Sequence, residues 1–105
     1  MPVTRLGPCE ACHLLARGEV DLVDVRELRE WLGGRIPGAR LVPLGRLVAD
    51  PRAHCHRDGI LFVCAHGVRS LEAAAVAEGA GFSQVYSLDG GLAAWTAEGF
   101  PVERG

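Results

Sequence analysis

The stretch that most constrains this chain runs from Gly59 to Ala80, GILFVCAHGVRSLEAAAVAEGA. It opens with Ile60-Leu61-Phe62-Val63, a short apolar and β-branched run that reads as a strand buried on both faces. It closes with Leu71–Ala80, an alanine-rich run of strong helix formers. Between them, Cys64-Ala65-His66-Gly67-Val68-Arg69-Ser70 places a cysteine at the C-terminal end of a strand, with a tight turn into a helix. Open α/β sheets bind ligands at such places, because backbone N–H groups of the turn and helix N-terminus converge there. Those N–H groups and the positive end of the helix dipole stabilise a thiolate, so the pKa of Cys64 is expected to fall. Gly67 gives the loop dihedrals that a Cβ forbids, and Arg69 adds a planar fork of donors suited to an oxyanion. The pattern is a nucleophilic cysteine, Cys64, in an anion cradle formed by Ala65, His66, Gly67, Val68, Arg69 and Ser70, and its thiolate is expected to be exposed.

The rest of the chain alternates strands with helices. Pro2–Leu6 is a candidate edge strand, followed by a helix from Gly7-Pro8 to about Arg17 that Gly18 ends. Leu22–Val25 reads as a buried strand and Glu27–Leu32 as a short helix stopped by Gly33-Gly34. A turn at Arg35–Gly38 leads to a short strand at Ala39–Val42. One or two helical turns follow from Pro43 to about Ala49, then a polar loop over Asp50–Asp58. After the central stretch come a strand at Gln84–Leu88, a helix at Gly90–Glu98 and a tail. This alternation predicts one α/β domain over residues 1–105, with a mostly parallel sheet covered on both faces.

Composition excludes several functions. The net charge is −2 and the basic residues do not cluster, which argues against nucleic acid as a partner. All 11 basic residues are arginine, so Schiff-base chemistry and a lysine phosphate clamp are absent. No apolar run approaches the roughly 18 residues needed to cross a membrane, and the first ten residues lack the build of a signal peptide. The 4 cysteines therefore read as reduced thiols in a cytoplasm rather than a disulfide framework.

Four segments, in order, resemble the single-domain rhodaneses, sulfurtransferases of the thiosulfate:cyanide type. Leu22-Val23-Asp24-Val25-Arg26-Glu27 is similar to their LVDVRE strand end. Glu30 to Ala39, EWLGGRIPGA, resembles E-[FW]-x-x-G-H-I-P-G-A, with Arg35 where the family usually has histidine. Cys64–Ser70 resembles the C-x-x-G-x-R-S active loop. Leu88-Asp89-Gly90-Gly91, with Trp95, Gly99, Phe100 and Pro101, resembles the L-x-G-G-x-x-x-W-x-x-x-G-x-P ending. Ala77 stands at a helix position that is commonly leucine, which implies a lighter core there. The resemblance implies a five-stranded, mostly parallel sheet with helices on both faces and a persulfide carried on Cys64. It implies a small sulfur-donor anion such as thiosulfate, and a thiol, cyanide or protein as acceptor. It also implies that Asp24 and Arg26 hold neighbouring loops together, and it calls for no cofactor or metal.

Competing readings are weaker. Cysteine phosphatases carry C-x5-R, whereas Cys64 to Arg69 is C-x4-R, a tighter ring that favours attack on a protruding sulfur over enclosure of a phosphate. A persulfide carrier or sulfide-sensing module serving a protein partner has the same loop, and only acceptor preference separates it from an enzyme. Cys9-Glu10-Ala11-Cys12-His13 spells the haem-attachment pattern C-x-x-C-H, but it falls in a predicted helix and Met1 is the chain's single methionine. A zinc site would need Cys9 and Cys12 to meet His54-Cys55-His56 in space; helix-face thiols and a polar loop are the simpler reading. Trp31 and Trp95 are expected against the sheet edges, and His66 at the rim of the site.

Overall fold

The computed structural model describes residues 3–105. Five strands, β1 (Val3–Leu6), β2 (Asp21–Asp24), β3 (Arg40–Leu41), β4 (Ile60–Val63) and β5 (Val85–Leu88), form one sheet in the order β1-β5-β4-β2-β3. Every pairing is parallel, so the sheet is fully rather than mostly parallel. An isolated antiparallel bridge joins Arg35 to Glu103 outside it. Pro2, expected to begin β1, lies outside the described residues. Parallel neighbours need crossovers, and these are the helices α1 (Pro8–Ala16), α2 (Leu28–Leu32), α3 (Leu44–Ala49), α4 (Pro51–His54), α5 (Val68–Gly79) and α6 (Gly91–Ala97).

β4 is central and buried along its whole length, and its alternation sorts the core into two layers. Ile60, Phe62 and Cys64 face one side with Leu47, Ala73, Ala74 and Ala77. Leu61 and Val63 face the other with Leu6, Ala11, Ile36, Leu88 and Trp95. The three alanines let α5 lie close on the sheet, and Ala77 is fully buried there.

The structure corrects the sequence expectations in three places. The polar loop at 50–58 contains the short helix α4, started by Pro51 in the first helical position and closed by the Cys55 N–H on the Pro51 carbonyl at 2.9 Å. α5 begins at Val68 rather than Leu71, because Gly67 turns the chain at φ +95° and the next residue is already helical. Arg69 and Ser70 thus belong to the helix's first turn. Trp95 is a core residue, its indole N–H donating to the Pro101 carbonyl at 2.8 Å. Trp31 is half-buried on α2 beneath the Arg35 guanidinium, 4.8 Å from the ring centre.

Arg35, the departure from the family pattern, holds the tail. Its backbone exchanges hydrogen bonds with Glu103 at 2.9 Å each way, and its side chain donates to the Trp31 and Gly105 carbonyls. No helix among the described residues is long and apolar enough to cross a membrane.

Candidate active site

The site is built where β4 ends. Cys64 follows the last residue of the strand, and the chain folds back over its sulfur before α5 begins. The Gly67 N–H donates to Sγ at 3.1 Å and the Ser70 N–H at 3.3 Å, while the Ser70 Oγ lies 3.5 Å away. Burial pushes the Cys64 thiol up; the Ser70 hydroxyl and the N–H groups of Ser70, Gly67 and His66 more than offset it, and the net direction is down. Contrary to expectation, the sulfur is not exposed: Cys64 is 1% accessible and belongs to the core layer beneath α5. The helix places amides around the sulfur only by drawing it inside.

The loop is held from the far side by the turn after β5. Leu92 and Ala93, at the start of α6, donate their N–H groups to the Cys64 and Ala65 carbonyls at 2.8 and 3.1 Å. This approach requires glycine. A Cβ on Gly91, whose φ is +61°, would stand 2.5 Å from the Cys64 carbonyl oxygen and 2.6 Å from that of Ala65. The Gly90-Gly91 pair in the sequence is therefore a contact surface for the active loop.

Arg69 is already engaged. Its two terminal nitrogens fork onto the Glu30 carboxylate at 2.8 and 2.9 Å. The Arg69 hydrogen bond is the chief cause holding the Glu30 carboxyl at about 2, and Glu30 in turn raises Arg69. Glu30 also accepts the Glu27 N–H at 2.9 Å, so one carboxylate caps α2 and ties it to the active loop. Sequence reading gave Glu30 no role in the site; its place 39 residues before Arg69 offered no local signal.

Asp24 and Arg26 form a buried pair at the end of β2. The guanidinium meets both carboxylate oxygens at 2.9–3.1 Å, then reaches the Gly34 carbonyl at 2.7 Å and the Glu30 carbonyl at 3.3 Å. The pair thus spans from the strand end to the segment after α2. Arg26 also lines a cavity of about 350 Å³ beside the loop, together with Ala65, His66, Leu92, Ala93 and Thr96. His66 is exposed at its rim and Val68 points to solvent.

Ser87 is the other residue that sequence reading missed. It is buried on β5, with its Oγ 2.7 Å from that of Ser70. A serine two residues after Val85, on the same inward face of the strand, was the available signal.

The remaining cysteines take no part in the hydrogen bonds around Cys64 Sγ. Cys9 is exposed on α1 and Cys12 half-buried there; Cys55 is buried in the layer on the opposite side of the sheet. The sheet therefore separates the two halves of the zinc site weighed above. No group of three or more His, Cys, Asp or Glu side chains that could hold a metal ion occurs among the described residues.

A cysteine ringed by amides at the end of a central parallel strand is a feature shared by several classes of α/β enzyme, and here the whole chain resolves the class. Residues 9–98 match the rhodanese-like domain family, and the chain belongs to it. It is 41% identical over 100 residues to the thiosulfate sulfurtransferase GlpE of Ectopseudomonas mendocina, covering 94% of this chain and 89% of that protein. The rhodanese-like domain of an Anabaena protein superposes with a TM-score of 0.84 at 29% identity, over 99% of this chain and 80% of the other. A rhodanese-related protein from Thermoplasma volcanium gives 0.85 at 26% identity, over 95% and 97%. The chain is an enzyme of the sulfurtransferase class.

Proposed function

We propose that the protein moves a sulfane sulfur from thiosulfate, or a related donor anion, through a persulfide on Cys64 to a thiol or cyanide. The observation that carries this reading is the Cys64 sulfur held by the Gly67 and Ser70 amides and the Ser70 hydroxyl, with its ionisation shifted downward. The thiolate attacks the outer sulfur of the donor. A new S–S bond forms, the donor's own S–S bond breaks, and sulfite leaves with the electron pair. The acceptor thiolate or cyanide then attacks the terminal sulfur of the persulfide, giving an acceptor persulfide or thiocyanate and returning the Cys64 thiolate.

The loop amides serve as fixed dipoles for the anion at each stage. A nucleophile this withdrawn from solvent selects an electrophile that projects a single atom, which suits a terminal sulfur better than a tetrahedral phosphate. Arg69 has five N–H donors and spends two on Glu30; the others are available to the donor's oxyanion. Asp24 and Arg26 hold the neighbouring loop in place. All four cysteines are free, as thiols are in a reducing cytoplasm, which is the setting proposed.

The test is thiocyanate formation from thiosulfate and cyanide, run beside small thiols as acceptors. Cys64→Ser is expected to abolish transfer with the fold intact, while changes at Cys9, Cys12 or Cys55 leave most activity. Mass analysis after thiosulfate treatment should find Cys64 one sulfur atom heavier. Transfer only to a protein acceptor would favour a carrier, efficient aryl-phosphate hydrolysis a phosphatase, and turnover by Cys64→Ser would remove the proposal.

A further inference from the structure

Ser87 takes no part in the mechanism above, yet it occupies a place where a hydroxyl is costly. It lies on β5, 1% exposed, paired in register with Phe62 of the central strand. Alternation along β4 puts Phe62 and Cys64 on the same face, beneath α5. A buried hydroxyl without a partner costs about 1–3 kcal/mol, and the partner here is Ser70 Oγ at 2.7 Å. Ser70 is itself fully buried and lies 3.5 Å from Cys64 Sγ. A line of three polar atoms therefore runs inward from the nucleophile, Sγ to Oγ to Oγ, and ends at Ser87.

Counting protons gives the line a direction. Among the described residues, the Ser87 hydroxyl has no side-chain partner other than Ser70. With Cys64 protonated, the line holds three protons and two links, so one proton has no acceptor in it: that of Ser87 when the thiol donates to Ser70, or that of the thiol when Ser87 donates to Ser70. With Cys64 ionised, both hydroxyls turn: Ser87 donates to Ser70, Ser70 donates to the sulfur, and each proton is used. A buried network favours the state in which its donors are satisfied.

We propose that Ser87 is a positioning residue: by donating to Ser70 Oγ it turns the Ser70 hydroxyl onto Cys64 Sγ and holds the nucleophile as its anion. No proton passes along the line; the thiol proton leaves to solvent and the two hydroxyls keep their own. This rests on Cys64 being the nucleophile.

Charged and titratable groups are also carried on the loop of Cys64 and on the elements near it, and of these Arg69 acts on the sulfur through its charge. His66 is on its own loop, Arg69 and Glu72 on α5, Glu30 on α2, the Asp24–Arg26 pair at the end of β2 and Arg46 on α3. β5 carries Tyr86 on its other face, Asp89 in the following turn is bridged to Arg5, and α6 has no charged residue. Substitution at Ser87 leaves all of these in place.

The test uses the full chain and follows alkylation of Cys64 by iodoacetamide against pH, with peptide mass mapping to separate it from the other cysteines. Ser87→Ala is expected to raise the midpoint by about 0.5–1 pH unit, so that alkylation at pH 7 slows by roughly three- to tenfold. Ser87→Thr, which restores the hydroxyl, should keep the wild-type midpoint, and Ser87→Val, its match in shape, should behave like Ser87→Ala. The Thr and Val pair decides the matter if Ser87→Ala fails to fold. Equal midpoints for Thr and Val, or an unmoved midpoint in folded Ser87→Ala, would overturn the inference while leaving Cys64 as the nucleophile. A wild-type midpoint near the ordinary 9.0, with Cys64→Ser still active, would remove both readings.

Discussion

Replacing Glu30 by glutamine separates two functions of one side chain. A glutamine oxygen can still accept the Glu27 N–H that caps α2, now at 2.9 Å, so the change chiefly removes the charge facing Arg69. A carboxyl held at about 2 against its ordinary 4.5 corresponds to at most about 3.4 kcal/mol, at about 1.36 kcal/mol per tenfold. Both side chains are about one-third exposed, 31% and 35%, and solvent screening reduces this to roughly 1–2 kcal/mol. Because the folded-state value is depressed, the stabilisation is fully present above about pH 4.5 and is lost as pH falls through about 2. Urea unfolding of wild type and Glu30→Gln should therefore differ by roughly 1–2 kcal/mol at pH 7 and converge toward pH 2. Held by a neutral amide instead of a carboxylate, Arg69 turns more readily to a donor anion, and the thiosulfate KM of the variant is expected to fall about three- to tenfold. A stability difference that persists unchanged at pH 2 would show that charge is not what Glu30 contributes. A KM that stays constant or rises would show that Arg69 serves the fold and not the donor.

Three further perturbations test the scaffold around the sulfur. Gly91→Ala should cost about 2 kcal/mol or more and depress transfer further than instability explains, since its Cβ would meet the Cys64 and Ala65 carbonyls; chemical denaturation beside kcat/KM checks this, and a fully active variant would refute the close contact. Asp24→Ala leaves the Arg26 guanidinium buried without its carboxylate, with an expected loss of about 3–5 kcal/mol by the same measurement. Hydrogen peroxide should oxidise Cys64 ahead of the other thiols, whereas a bulky maleimide should label exposed Cys9 first; peptide mapping that finds Cys64 first with both reagents would contradict its burial.

Whatever depends on neighbours along the chain is written in the local order of its residues. Ile60–Val63 is apolar without alternation, and that pattern requires a strand covered on both faces. A cysteine followed by Gly67 and a helix-forming run requires a sulfur at a strand-to-helix turn, so the strand, the loop and the candidate nucleophile are legible in the local order of residues. Asp24 and Arg26 are legible only through family resemblance, because nothing in their spacing shows that the guanidinium reaches the Gly34 carbonyl. Tertiary structure alone decided what depends on register and depth. Parallel pairing sets Ser87 beside Phe62, and so beneath the active loop, although 17 residues separate it from Ser70. The position of α2 brings Glu30 onto Arg69 and changes that arginine from a free cation into half of an ion pair. The burial of Cys64 also follows from packing: a loop short enough to aim its amides at the sulfur lies over it and excludes water. Local sequence specifies which groups can make these contacts, but the distances between distant segments exist only after the sheet has closed and the helices have settled on it.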